Sequence, residues 1–178
     1  MGYLLMEPST TFKKGENNHM EIERKYLIST PPMELSNYSF HKIEQAYLCT
    51  HPVVRVRQQD DTYYLTYKGG GMMMREEYNL PLTEEAYKHL LPKADGNVIT
   101  KTRYLIPLDN GLTCELDVFE GAFAGLILAE VEFPDEQTAM DFIPPNWFIK
   151  EVTTDPRFHN SYMSSLKQVS SYINTIKN

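Results

Sequence analysis

The sequence predicts an α+β chain dominated by antiparallel β-structure: an eight-stranded, closed, tunnel-like β-barrel with helices packed outside and a C-terminal helix. Three observations predict it. Period-two alternation recurs in eight segments, most links between them are short and rich in turn residues, and helical periodicity is confined to three stretches. Closure follows because a barrel of antiparallel strands leaves no edge to pair with another chain. A length of 178 residues with 42% hydrophobic content suits one compact domain with a sizeable core.

Residues 1–19, "MGYLLMEPSTTFKKGENNH", show neither period, and His19 before Met20 reads as a cloning junction ahead of a natural start. This N-terminal extension is set apart from a single tunnel domain over residues 20–178. Strands are predicted near 21–28, 43–48, 53–58, 62–68, 74–80, 99–107, 112–119 and 127–133. Turn chemistry separates them: "QQDD" before Thr62, "KGGG" from Lys68, "DNG" from Asp109 and "EGAFAG" ending at Gly125. "TEEAYKHLL" predicts a helix with Thr83 as N-cap and acids in its first turn, and "DEQTAMDFI" predicts a second from Asp135. The tail over 160–176 puts Tyr162, Leu166, Val169 and Ile173 on one side of a third helix, which either plugs one tunnel end or caps the barrel outside. "MMM" at 72–74, after the glycines, reads as a flexible loop.

Composition excludes several classes. A formal net charge of -7 argues against coating nucleic acid by bulk electrostatics. No window is apolar enough to span a membrane and no leader pattern precedes the strands, so a cytoplasmic protein is expected. Cys49 and Cys114 lack a second Cys or His at metal spacing and read as buried, inert thiols. His41, His51, His89 and His159 read as surface or capping residues.

The chemistry lies in "MEIERKYLIS", where Glu21, Glu23 and Lys25 occupy alternate positions and therefore one face of a strand. The same spacing recurs in Arg55 and Arg57, Lys101 and Arg103, Glu115 and Asp117, and Glu130 and Glu132. Chance alone supplies roughly three acid pairs and two basic pairs at this spacing, so their number decides nothing. An ordinary half-exposed sheet would turn these charges to water and bury Ile22, Val56, Leu116 and Val131. The alternative is that helices cover the apolar faces and the charges of both signs point into the barrel. They then need partners, because an unpaired buried charge is costly. A water-filled tunnel holding metal ions and a polyanion meets that need.

These residues resemble the CYTH domains, the triphosphate tunnel metalloenzymes. "EIERKYL" is similar to the family's E-x-E-x-K strand, and the landmarks that follow stand in family order: "QAYL", "VRVR", "YLTYKG", "REEYN", "KTRYLIP", "ELDVFEG", "LILAEVEF" and "KEVTTDPRFHN". The resemblance runs from Met20 through Leu166 and points to the short bacterial single-domain branch. It implies a tunnel enzyme that hydrolyses triphosphate compounds with magnesium or manganese. It further implies Glu21, Glu23 and Glu132 as metal ligands with Glu130 close by. Lys25, Arg55, Arg57, Lys68, Arg75, Lys101, Arg103 and Lys150 are implied along the phosphate path. Family members often pair, so a homodimer is compatible with the resemblance, although no interface is legible. Three departures stand out: Asn79 replaces a third acid after Arg75 and Glu77, no Trp precedes Glu115, and Phe158 replaces a frequent Tyr.

Magnesium keeps several waters and uses one or two carboxylates plus substrate phosphates, while guanidinium forks and lysines bind phosphoryl oxygens. In a two-ion reading, one ion clamps the phosphate chain and a second activates the attacking water, with second-ion ligands among Glu77, Asp117 and Glu130. The alternative is a carboxylate general base. Lys25, Glu77, Glu130 and Glu132 are the candidate catalytic residues. The expected substrate is a small anionic triphosphate, inorganic tripolyphosphate first. A class IV-type adenylate cyclase, a thiamine or nucleoside triphosphatase, and a non-catalytic polyphosphate-binding module are the alternatives.

Overall fold

The computed structural model describes residues 22–31, 34–69, 77–109 and 111–176. All eight predicted strands are present as β1 (Ile22–Leu27), β2 (Phe40–Thr50), β3 (Val53–Gln59), β4 (Thr62–Lys68), β5 (Glu77–Leu82), β6 (Asp95–Pro107), β7 (Thr113–Phe119) and β8 (Ile127–Phe133). A two-residue β9 (Lys150–Glu151) joins them. The ladders are antiparallel, and the strand order is β5-β4-β3-β2-β6-β7-β8-β1-β9. Among the described residues β5 and β9 remain the ends of this row, so hydrogen bonds do not close the sheet.

The apolar face of each strand is covered from outside. Helix α1 (Glu84–Leu90) starts where Thr83 accepts a hydrogen bond from the Ala86 amide, as its N-cap position predicts. Its Tyr87 packs with Ala46 and Val56 over β2 and β3, and the Tyr87 hydroxyl donates to Glu44 at 2.9 Å. Helix α2 (Glu136–Asp141) is capped by Asp135 and covers Tyr26, Leu116, Ala129 and Val131 together with Phe142 and Phe148. Arg24 ties this layer to β9: it donates to Glu151 at 2.6 Å and to the Ala139 carbonyl at 2.9 Å.

The C-terminal tail is two helices, α3 (Asn160–Ser164) and α4 (Val169–Ile176), where one was expected. The break has a local cause. Asn97 Nδ2 donates to the carbonyls of Met163, Ser164 and Leu166, at 3.3, 3.2 and 2.7 Å, and draws them out of a continuous helix. Gly96 makes the approach possible: a Cβ there would lie 2.1 Å from the Ser164 carbonyl oxygen. Met163, Tyr172 and Ile173 pack with Tyr47, Ile99, Phe119 and Leu128. Cys114 is fully buried and its thiol is pushed up to about 12 by burial, whereas Cys49, expected to be buried, is partly exposed at a β2 irregularity. No helix among the described residues is long and apolar enough to cross a membrane.

Candidate active site

Cross-strand partners in a ladder share a face, so the register can be followed from strand to strand. One row runs Asn79, Thr66, Arg55, Tyr47; a second runs Tyr64, Arg57, Gln45, Ile99. On the other side Arg103 stands opposite Asp117, Glu115 opposite Glu130, Glu130 opposite Lys25, and Glu132 opposite Glu23. Among the described residues, every pair of charges picked out by its spacing therefore lies on one face, away from α1 and α2. Tyr47, Ile99, Phe119 and Leu128 belong to this face too, so α3 and α4 pack against its apolar end.

The acidic side is a closed network of ion pairs. Lys25 Nζ lies 2.8 Å from Glu130 and 3.8 Å from Glu23. Arg103 reaches Glu130 at 2.6 Å, grips both oxygens of Asp117 at 2.7 Å, and also meets Glu115. Lys101 meets Asp117 and lies over the Phe119 ring. Burial opposes the charge on Lys25, but Glu130 and Glu23 outweigh it and hold the ammonium above the usual lysine range. Burial likewise opposes ionisation of Glu130, yet Lys25 and Arg103 keep it well below the carboxylate range. Burial and then Arg103 depress Lys101 to about 8, against the pull of Asp117. Burial pushes Glu115 up despite Arg103.

The cationic side is built differently. Arg57 donates to Gln45 Oε1 at 3.0 and 2.8 Å and to the Tyr64 hydroxyl at 3.3 Å, all neutral partners. Arg55 is 6% exposed, donates to Thr66 at 3.1 Å, and among the described residues leaves Nε without a partner. Burial and then the neighbouring Arg57 push its pKa down. Beyond it, Lys68 pairs with Glu77 at 2.5 Å. A guanidinium carries five donors, and a multiply charged phosphoryl group is the ligand that occupies them in pairs. Among the described residues the face thus presents paired charges at one side and two arginines without carboxylate partners at the other.

The fit to a divalent cation rests on Glu23 and Glu132. The two stand directly opposite each other on β1 and β8, which sets two carboxylates on the same face at one cross-strand position. Two carboxylates are the donor set a magnesium-type ion takes when water and phosphate supply the rest. Among the described residues no group of three His, Cys, Asp or Glu converges as a metal site. Glu21 and Arg75 lie outside the described residues. Lys150 shares the inner face through its pairing with Leu27 and is exposed. Sequence reading missed Gln45, Tyr64 and Thr66, uncharged residues whose only signal is their register with the arginines. His41, read as a surface or capping residue, stands opposite Arg103 near the end of β2 and meets Asp60 at 2.6 Å in an exposed contact. An outer groove of about 890 Å³ beside Tyr38, Leu108, Phe142 and Trp147 holds none of these cations.

Comparison with known proteins agrees with this geometry. The chain is 40% identical over 149 residues to an inorganic triphosphatase of Nitrosomonas europaea, covering 81% of this chain and 96% of that protein. It is 37% identical over 147 residues to an inorganic triphosphatase of Acetivibrio thermocellus, covering 79% of this chain and 90% of the relative. A crystal structure of an inorganic triphosphatase superposes with a TM-score of 0.66 at 38% identity, over 82% of this chain and 95% of the other. With the CYTH domain matched over residues 19–155, the sheet and its charged inner face identify this chain as a member of the CYTH family.

Proposed function

We propose that the chain cleaves a phosphoanhydride bond of inorganic tripolyphosphate, releasing pyrophosphate and phosphate on the inner face of the sheet. The observation that carries this reading is the division of that face: arginines that, among the described residues, have no carboxylate partner, beside an opposed pair of acids. Arg55 and Arg57 take phosphoryl oxygens through their forks, and Lys25, held charged by Glu130, meets the chain of phosphates as a point charge. Phosphoryl transfer depends on such positioning and charge neutralisation more than on covalent chemistry. Curated relatives named inorganic triphosphatases, matched over most of their length, favour tripolyphosphate over the nucleotide alternatives.

Magnesium or manganese is the proposed cofactor, with Glu23, Glu132 and the preceding Glu21 as its carboxylates. When bound, such an ion neutralises phosphate charge and lowers the pKa of coordinated water. A second ion would have to displace a cation, because Glu77 is joined to Lys68, Asp117 to Lys101 and Arg103, and Glu130 to Lys25 and Arg103. These three carboxylates are therefore proposed to hold the cations of the site in place.

The test is phosphate release from tripolyphosphate, ATP, thiamine triphosphate and pyrophosphate, each with magnesium, manganese or no metal, with cyclic AMP measured alongside. Metal-dependent release fastest on tripolyphosphate is expected. Glu132→Gln is expected to lower it at least about 100-fold, on the order of one oriented charge-stabilising group, while the fold survives. Cyclic AMP formation, or tight binding without turnover under every metal, would overturn the reading.

A further inference from the structure

Arg55, Thr66 and Asn79 form one row across β3, β4 and β5. Arg55 Nη2 donates to Thr66 Oγ1 at 3.1 Å. Thr66 has a single proton, and it goes to Asn79 Oδ1 at 2.7 Å, which leaves the hydroxyl oxygen to accept from the arginine. The orientation of the Asn79 amide is set from its other side, because its Nδ2 donates to Glu77 Oε1 at 3.1 Å. Glu77 in turn is joined to Lys68. The amide thus links the Lys68–Glu77 ion pair to the Arg55 guanidinium through Thr66.

We propose that Asn79 is a positioning residue that sets the anion affinity of the site chiefly by completing the Arg55 row without adding a negative charge to it. The inference rests on the triphosphatase reading and deepens it. An aspartate of the same size would keep the acceptor for Thr66 but bring a negative charge into the Arg55 row, and would set a second carboxylate against Glu77. Among the described residues Arg55 is buried, has no carboxylate within ion-pair distance and keeps an unpartnered Nε, so the guanidinium retains donors for a ligand, with Glu77 acting on it only at longer range. Lys25 and Lys101, the other buried cations of the face, are both joined to acids.

The experiment uses the full chain, with tripolyphosphate binding measured by calorimetry without added metal and KM and kcat measured with metal. For Asn79→Asp, Kd and KM are expected to rise about ten-fold while kcat stays within about two-fold, the size of one added charge near a partly screened site. Asn79→Leu removes the acceptor without adding charge and should raise KM less than about three-fold, a neutral hydrogen bond being worth less than a charge. In an Arg55→Gln background, Asn79→Asp should add no further loss. If Asn79→Asp fails to fold, Asn79→Glu carries the same test, its longer side chain clearing Glu77. Unchanged affinity in the acidic variant, or an equal loss in Asn79→Leu, would overturn the inference. A wild-type chain that neither binds nor hydrolyses tripolyphosphate would instead remove the functional reading beneath it.

Discussion

Replacing Glu130 by Gln removes one charge from the centre of the ion-pair network and leaves its shape nearly unchanged. Glu130 is 7% exposed and serves two cations, Lys25 at 2.8 Å and Arg103 at 2.6 Å. Arg103 keeps Asp117 and Glu115, so the stranded group is Lys25, 6% exposed and left with Glu23 at 3.8 Å. Removing one partner from a buried pair costs about 3–5 kcal/mol, and the retained acids around Arg103 argue for the lower end, about 3 kcal/mol. For a domain of this size that is a fall in Tm of about 6–12 °C. Urea unfolding should show a lower midpoint with an unchanged slope. The pH dependence has a definite sign. The carboxyl titrates well below its unfolded value of 4.5, so its stabilisation is present above that pH and is lost as pH falls through the folded value. The gap between wild type and variant should therefore be full at neutral pH and shrink in acid. A loss below about 1 kcal/mol at pH 7 would refute the reasoning, since that is the worth of a solvated surface pair.

Two further outcomes follow from particular residues. Lys101 titrates near 8 in the fold against 10.5 unfolded, so the unfolded chain binds the extra proton between those values. Wild-type stability relative to Lys101→Met should rise as pH goes from about 8 to about 10.5; denaturant titrations of both proteins across that range would disprove this by showing a constant difference. Gly96→Ala should cost at least about 2 kcal/mol, because Gly96 has φ of 74° and a Cβ would strike the Ser164 carbonyl. A thermal melt unchanged from wild type would show that α3 does not depend on this approach.

Much of the fold was legible because alternation and turn chemistry are local signals. The helix start at Thr83 needed only a side-chain oxygen before two acids, and the strand carrying Glu23 and Lys25 needed only its period. The break after Ser164 was not legible, since it is imposed by Asn97, which is remote in sequence and takes the carbonyls that a continuous helix would use. β9 was missed because two residues carry no period; its partner β1 and the Arg24–Glu151 pair create it. At the site, charges at alternate positions were visible, but their pairing was not. Nothing in "VRVR" says that Arg57 meets Gln45 and Tyr64 while Arg103 meets three acids, because that depends on which strands become neighbours.

The position of β1 in the row has a consequence for how the molecule is made. The first strand pairs with β8 and β9, so its neighbours are separated from it by most of the chain. Long-range pairing of this kind slows folding, since a large loop must close before any contact repays it. During synthesis β2 through β5 can assemble as a meander, with β6 and β7 added on the other side of β2, while β1 waits. Until residues 127–133 have left the ribosome, Lys25 has no Glu130 and Glu23 has no Glu132 opposite it. The acid–base face is thus among the last parts to be completed, and a stalled chain carries the arginines of β3 without the strand pair that turns them into a site.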